Sequence, residues 1–599
     1  MKEFKSRLLT VSIILAQAFL IIVLRLWYMQ ILKGSEFEKF SNNNRISVTK
    51  FPAPRGRILD QRGRELAINR SSFDVYAVPN DITGIDAVSN ILSSTLGIEP
   101  SIISEKITKA HKENRFKPTL IADDINRDQL AFIEARRINL TGVFIHVDHK
   151  RTYPYGKLAA SLLGYLGRAD KDDLKLNPNL IGTKLVGKYG VENTLEKYLR
   201  GEDGFSQRII DAYGREVNWD YLERDLKNQD SVTGSDIYLT IDLDLQRIAE
   251  ETLGERSGAI VALNVKTGEV LALVSQPTFD PEFFVHGLDQ MTWNKLMKDK
   301  SFPLLNRATQ GLYAPGSVFK IVTSSAALKE GIIDEHTRFY CPGSYRIGKS
   351  KFRCWKKGGH GSLNLHQAIV RSCDVFFYNV AERLGISRFS DYIRGFGFGS
   401  PTGIELNERQ GVAPSIDWKF KNFRKPWYLG ETIVAGIGQG YISVTPLQIA
   451  VMTASIANGG ILLKPQVVKK VVSPNGEVLL ETNPEEKGRI PVGQEIITIM
   501  MDALVGVVNE PGGTGGAARL DSVIVAGKTG TAQVISLDSK ITGLELNDHA
   551  WFTSYAPGDN PEIVVTVLVE HGGRGGAVAA PVAKEIIKAY MRLKEEGNV

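Results

Sequence analysis

The chain has 599 residues, and at roughly 150 residues per domain it must build more than one hydrophobic core. Hydrophobic residues make up 43%, charged residues 23% and aromatics 9%, which excludes a disordered chain, a fibre and a polytopic membrane protein. A net charge of +6 at this length gives no basis for nucleic-acid binding, and three cysteines are too few for a disulfide scaffold.

Lys2, Lys5 and Arg7 precede seventeen uncharged residues, Leu8 to Leu24. Arg25 interrupts, and the apolar character then continues to Leu32. As a helix, Leu8 to Leu32 spans roughly 37 Å, enough for a hydrocarbon core of ~30 Å. Arg25 lies near the far end, where it can snorkel, and Trp27 and Tyr28 suit the interface. A cleaved signal peptide is the alternative, but the run is long and no small-x-small site follows it. Residues 1–33 are therefore expected to form a cytoplasmic tail and an uncleaved anchor. The basic residues before the span place the N-terminus in the cytoplasm. Residues 34–235 alternate β-branched stretches, such as 73–78, with polar helices and turns. The polar run 218–235 ends in a Gly-Ser turn and marks a domain junction. From Asp236 a strand pattern leads into a helix and then a hairpin, 258–264 with 269–275. Helical runs are expected near 317–329, 374–384, 446–457 and 581–594, and strands near 522–534, 550–555 and 562–570. Strands at both ends with helices between predict an α+β domain over 236–599.

Three short motifs carry chemistry. Ser317 and Lys320 sit three apart at the start of an apolar helix, so they share a face. A lysine in a dry site with another cation nearby can lose its proton and deprotonate a serine, and the helix start offers N–H groups to an oxyanion. Alone the pair is a weak signal, since roughly two or three such pairs arise by chance in a chain of this composition. Another, Ser47 and Lys50, lies in a β-branched context. Ser372-Cys373-Asp374 is the second motif, readable as a helix cap or as a loop serine that relays protons. Lys528-Thr529-Gly530-Thr531 is the third, in a β-branched strand that offers charge and hydroxyls to a carboxylate. It is equally readable as a protective lysine on an edge strand. Residues 343–350 match a phosphate-loop pattern, but no buried strand and helix flank them, so nucleotide binding is rejected.

Taken together and in this order, the three motifs resemble those of a class B penicillin-binding protein of the elongation type. The segments 54–60 with Gly63, 151–154 with 164–167, and 187–192 with 199–201 are similar to the family's pedestal motifs. Gly436–Gly440 and 575–581 are similar to transpeptidase signatures. The resemblance implies a single N-terminal transmembrane helix, an elongated pedestal over 34–235 and a penicillin-recognising transpeptidase domain, an antiparallel sheet flanked by helices. It also implies an inner-membrane, single-pass protein with an extracytoplasmic catalytic domain that cross-links peptidoglycan stem peptides and binds β-lactams. Ser317 would be the nucleophile, Lys320 the base and Ser372 the relay. Lys528 would depress the Lys320 pKa and attract the substrate carboxylate, held by Thr529, Gly530 and Thr531. The N–H groups of Ser317 and Thr531 would form the oxyanion hole. No glycan-polymerising segment is evident, which implies a polytopic membrane glycosyltransferase as partner. A D,D-carboxypeptidase and a β-lactam-binding sensor or assembly subunit use the same motifs. Aspartate at 374 stands where the family commonly has asparagine, and an ionised aspartate cannot donate to a substrate amide.

Cys341, Cys354, His360 and Cys373 fall within 33 residues, in a stretch poor in apolar side chains. They supply four ligands of the types that close a tetrahedral zinc site. A Cys341–Cys354 disulfide and three unrelated cysteines are the alternatives. The elongation-type resemblance favours structural zinc, which would pin Ser372 and Asp374 beside the Ser317 helix.

Overall fold

The computed structural model describes residues 2–34, 46–176, 185–209, 227–285, 287–288, 290–533 and 547–597. The chain divides into two compact units. One comprises residues 1–54, 70–150 and 202–232; the other comprises 55–69, 151–201 and 233–599.

The first unit begins with helix α1 (Lys2–Trp27), extended through Tyr28–Leu32, and this is the single described helix long and apolar enough to cross a membrane. Leu8, Ile14, Phe19 and Ile22 are each more than half exposed. Such an array of bare apolar side chains has lipid as its natural solvent. The rest of the unit packs helices Ile85–Leu96, Pro100–Asn114 and Arg127–Ala135 around Val75, Leu92, Ile103, Ile107 and Ile121. Asn126 and Gln129 close the last of these helices with reciprocal side-chain and backbone bonds. Of the polar junction expected at 218–235, residues 218–226 lie outside the described residues.

In the second unit the pedestal-like segments hold one another through buried charge. Arg55 Nη2 donates to Glu192 and Glu196, both at 2.7 Å, and Arg151 donates to Glu192 at 2.7 Å and to the Gly56 carbonyl at 2.7 Å. Glu192 is fully buried. Burial works to raise its pKa, but Arg151 and Arg55 outweigh that and hold it below the ordinary carboxylate range. A Cβ at Gly56 would stand 1.8 Å from the Ser235 carbonyl oxygen, so only glycine fits there. Ile58–Leu59 runs parallel to Asp236–Leu239, which pairs antiparallel with Val468–Val472.

The core of this unit is three layers. Helix α2 (Leu243–Leu253) precedes the hairpin β1 (Gly258–Asn264) and β2 (Val270–Gln276). Helices α3 (Lys320–Lys329), α4 (Leu365–Val370), α5 (Asp374–Leu384), α6 (Pro446–Ala457) and α7 (Gln494–Asn509) follow. The chain closes with β3 (Ala526–Ala532), β4 (His549–Ala556), β5 (Ile563–Val569) and α8 (Gly575–Glu595). The strands form one antiparallel sheet in the order β2-β1-β5-β4-β3, so early and late strands meet at its centre and β3 lies at an edge. Along β1, Ala259, Val261 and Leu263 enter the larger core with α6 and α7, while Ile260 and Ala262 enter the smaller one with α2 and α8. Period-two alternation into two apolar layers is what a sheet covered on both faces requires. The fold is α+β, as the strand and helix patterns predict. Residues 343–350 form a hairpin, Ser344–Ile347 with Ser350–Arg353, and not the strand–loop–helix of a phosphate site.

Candidate active site

Ser317 stands in a 3-10 turn, Gly316–Phe319, that runs directly into α3. The turn is wedged between two backbones. A Cβ on Gly316, whose φ is +56°, would meet the Thr531 carbonyl oxygen at 2.6 Å, and one on Gly438 would meet the Gly316 carbonyl oxygen at 2.2 Å. Gly316 N–H donates to the Gly438 carbonyl at 2.9 Å, and Gln439 Nε2 donates to the Thr531 carbonyl at 3.3 Å. The absence of a side chain at Gly438 therefore lets the 436–440 loop close behind the serine turn. Ser317 is half-buried at the mouth of this arrangement.

Lys320 and Lys528 are both fully buried, and they converge on Ser372. Ser372 Oγ accepts from Lys528 Nζ at 3.0 Å and from Lys320 Nζ at 3.3 Å. Lys320 Nζ also donates to the Ser372 carbonyl at 3.0 Å and to Asp374 Oδ1 at 2.7 Å. Its Nζ is thus committed to Ser372 and Asp374, and among the described residues Ser317 Oγ has no hydrogen-bond partner. Burial pushes the Lys528 ammonium well below the ordinary lysine range; the Lys320 charge adds to this and Asp374 opposes it. Ser372 has φ of +51°, unusual for a residue with a side chain. Neither Ser372 nor Asp374 caps α5; the N-cap residue is Cys373, without a side-chain bond. On β3, Lys528 shares a face with its cross-strand partner Thr553, and Thr529 Oγ1 donates to Thr514 Oγ1 at 2.8 Å.

The thiols of Cys341, Cys354 and Cys373 and a ring nitrogen of His360 lie within 4.8 Å of one another, and all three cysteines are free and buried. His360 Nδ1 stands 3.7 Å from Cys341 Sγ and 3.5 Å from Cys354 Sγ. Zn–S bonds of about 2.3 Å and Zn–N bonds of about 2.0–2.1 Å at tetrahedral angles set such edges at roughly 3.6 Å. The donor set and its spacing fit zinc.

Residues 258–588 match the family model described as penicillin binding protein transpeptidase domain, and residues 50–239 match that of the penicillin-binding protein dimerisation domain. The chain is a class B penicillin-binding protein. It is 36% identical to the peptidoglycan D,D-transpeptidase MrdA of Haemophilus influenzae over 95% of this chain and 89% of that one. Identity to MrdA of Escherichia coli K12 is 33%, covering 93% and 90%. Among solved structures, the complex of penicillin-binding protein PBP2 with MreC from Helicobacter pylori superposes with a TM-score of 0.77 at 30% identity, covering 91% of this chain and 99% of that one. A chain from a structure titled "Structural coordination of polymerization and crosslinking by a peptidoglycan synthase complex" gives 0.72 at 30% identity, covering 98% of each.

In this penicillin-binding protein the structure brings Ser372, Asp374, Lys320 and Lys528 into one hydrogen-bonded group and sets Thr531 against the turn that bears Ser317. Asp374 does not face outward toward a substrate amide. Its two oxygens accept from Lys320 Nζ and from the Trp355 N–H, the latter at 2.9 Å. Sequence reasoning missed Trp355 and Thr514, and it placed Gln439 within the 436–440 signature without a role. Trp355 adjoins Cys354, and that adjacency was the available signal; Thr514 carries none.

Proposed function

We infer that this penicillin-binding protein is a serine D,D-transpeptidase that cross-links peptidoglycan stem peptides during cell-wall elongation. The observation that carries the reading is the convergence of Lys320, Ser372 and Lys528 in one dry group beside the Ser317 turn, four residues drawn from three distant motifs. Ser317 Oγ attacks the carbonyl carbon of the penultimate D-alanine and yields its proton to Lys320 in its neutral form. Ser372 accepts from both lysines, so its own O–H is left to donate. It hands that proton to the leaving amine and is re-protonated from Lys320, while the C–N bond breaks and terminal D-alanine departs. The ester on Ser317 is then opened by an amine of a second stem, with the protons returning along the same path. Lys528, Thr529 and Thr531 suit the terminal carboxylate, Gly530 lets the strand pack against the serine turn, where a Cβ would stand 3.0 Å from the Pro315 carbonyl oxygen, and the N–H groups of Ser317 and Thr531 suit the oxyanion.

Cys341, Cys354, His360 and Cys373 would hold one zinc ion, which would tie the 341–360 segment to the second motif as a structural cross-link and supply no acyl-transfer chemistry. The apolar helix α1 supports a single-pass anchor in the cytoplasmic membrane. The basic residues ahead of it support a cytoplasmic N-terminus and an extracytoplasmic catalytic domain. Two relatives are described in complexes, one with MreC and one in a peptidoglycan synthase assembly. A polytopic glycosyltransferase fits this chain as partner, because residues 258–588 match an acyl-transfer model and residues 50–239 a dimerisation model, neither of them a glycan-polymerising one.

Full-length protein reconstituted with a glycan polymerase and lipid-linked disaccharide pentapeptide should release D-alanine and cross-linked dimers, both lost on Ser317→Ala. Free tetrapeptide without dimer would make it a carboxypeptidase. Neither product, with β-lactam binding retained, would make it a sensor.

A further inference from the structure

Trp355 is half exposed, yet it is tied to the catalytic group at three points. Its backbone N–H donates to Asp374 Oδ2 at 2.9 Å. Its indole Nε1–H donates to the Arg371 carbonyl at 3.2 Å and the Ser372 carbonyl at 3.1 Å. Asp374 and the Ser372 carbonyl are the same groups that receive Lys320 Nζ. The tryptophan follows Cys354, and its ring meets the His360 ring at 5.4 Å between centroids with 61° between planes. Cys373, between Ser372 and Asp374, is buried in that same thiol–imidazole cluster.

The residue most in need of such support is Ser372. A left-handed backbone at a residue bearing a Cβ persists only where the surroundings impose it. Here its N–H donates to the Ile369 carbonyl at 3.1 Å, and its own carbonyl is gripped by Lys320 and the Trp355 indole. Turning that peptide unit would swing Oγ away from both lysines.

We propose that Trp355 is a positioning residue for acyl transfer: its indole fixes the Ser372 backbone so that the hydroxyl stays between Lys320 and Lys528, and it anchors that geometry to the Cys341–Cys354–His360–Cys373 cluster. The inference rests on the transpeptidase reading above. No hydrogen bond of Trp355 reaches Ser317 Oγ, Ser372 Oγ or either lysine, so its effect lies on the rate of the chemical step and not on binding.

The test is acylation of the full-length protein by a fluorescent penicillin, resolved into the dissociation constant of the first complex and the acylation rate. Trp355→Phe keeps an aromatic ring and the backbone N–H and removes the indole donor. The acylation rate should fall about tenfold, as expected for loss of a hydrogen bond of ordinary strength, with the dissociation constant unchanged. In a Ser372→Ala background, where no hydroxyl remains to be positioned, the same change should cost less than about twofold. Zinc content and melting temperature should match those of the parent. A weakened first complex, an equal loss in the Ser372→Ala background, or a wild-type rate in Trp355→Phe would each overturn the proposal. Acylation that survives Ser317→Ala would instead overturn the transpeptidase reading beneath it.

Discussion

Two buried lysines, Lys320 and Lys528, converge on Ser372, where the one carboxylate, Asp374, bonds Lys320 alone, and the imbalance is written into the stability of the fold. Burial lowers the Lys528 pKa below that of an unfolded lysine, so between the two values the unfolded chain binds more protons. Stability from this group therefore rises with pH toward about 10.4. In chemical denaturation from pH 7 to 10, wild type should gain stability relative to Lys528→Met as the pH rises. A constant difference between the two would contradict the cost of burying a charged lysine here. The residues that could be read from sequence are those whose spacing is itself the signal. Ser317 and Lys320 lie one turn apart, and Lys528 begins a strand motif with small neighbours. The roles of Trp355, Thr514 and Gln439 were illegible because each acts through a contact made only when distant segments meet.

At the scale of elements, the legible part is the periodic part. The helical pattern at 374–384 coincides with α5, and the apolar runs at 550–555 and 562–570 largely coincide with β4 and β5. The helical run expected at 581–594 begins earlier, at Gly575, so Pro581 lies inside α8. Glycines 575 and 576 let that added turn pack close to neighbouring backbone. A Cβ on either would meet a backbone oxygen, of Trp551 at 2.1 Å or of Thr514 at 2.3 Å, and only glycine lets the helix approach so closely. The serine turn follows the same logic. Gly316→Ala should cost about 1–2 kcal/mol for its left-handed backbone alone and displace Ser317 from Thr531, read as slower β-lactam acylation with a lower Tm. The Arg55–Glu192–Arg151 group makes a separate prediction. Glu192→Gln leaves two guanidinium groups facing a neutral amide and should destabilise the protein by about 3–5 kcal/mol in denaturant titration. Because the Glu192 pKa is depressed, its contribution is fully present above the ordinary glutamate value and is lost as pH falls through the folded one.

At the scale of the whole molecule, sequence patterns divide the chain linearly, whereas the compact units take residues 55–69 and 151–201 together with 233–599. Only folding could reveal that, since what joins those segments is a buried carboxylate between two arginines and the pairing of Ile58–Leu59 with Asp236–Leu239, and not a composition shift. Cysteine spacing was legible as a ligand set, and its test is direct. Purified protein should contain one zinc per chain by elemental analysis, lost on His360→Ala with slower acylation; metal-free, fully active protein with a Cys341–Cys354 disulfide would refute it. The catalytic assignment meets its sharpest test in one measurement, peptide mass analysis after exposure of the full-length protein to penicillin. A single penicilloyl ester on the peptide that contains Ser317, absent from Ser317→Ala, is the expected result. An adduct on another residue, or one undiminished in Ser317→Ala, would contradict it.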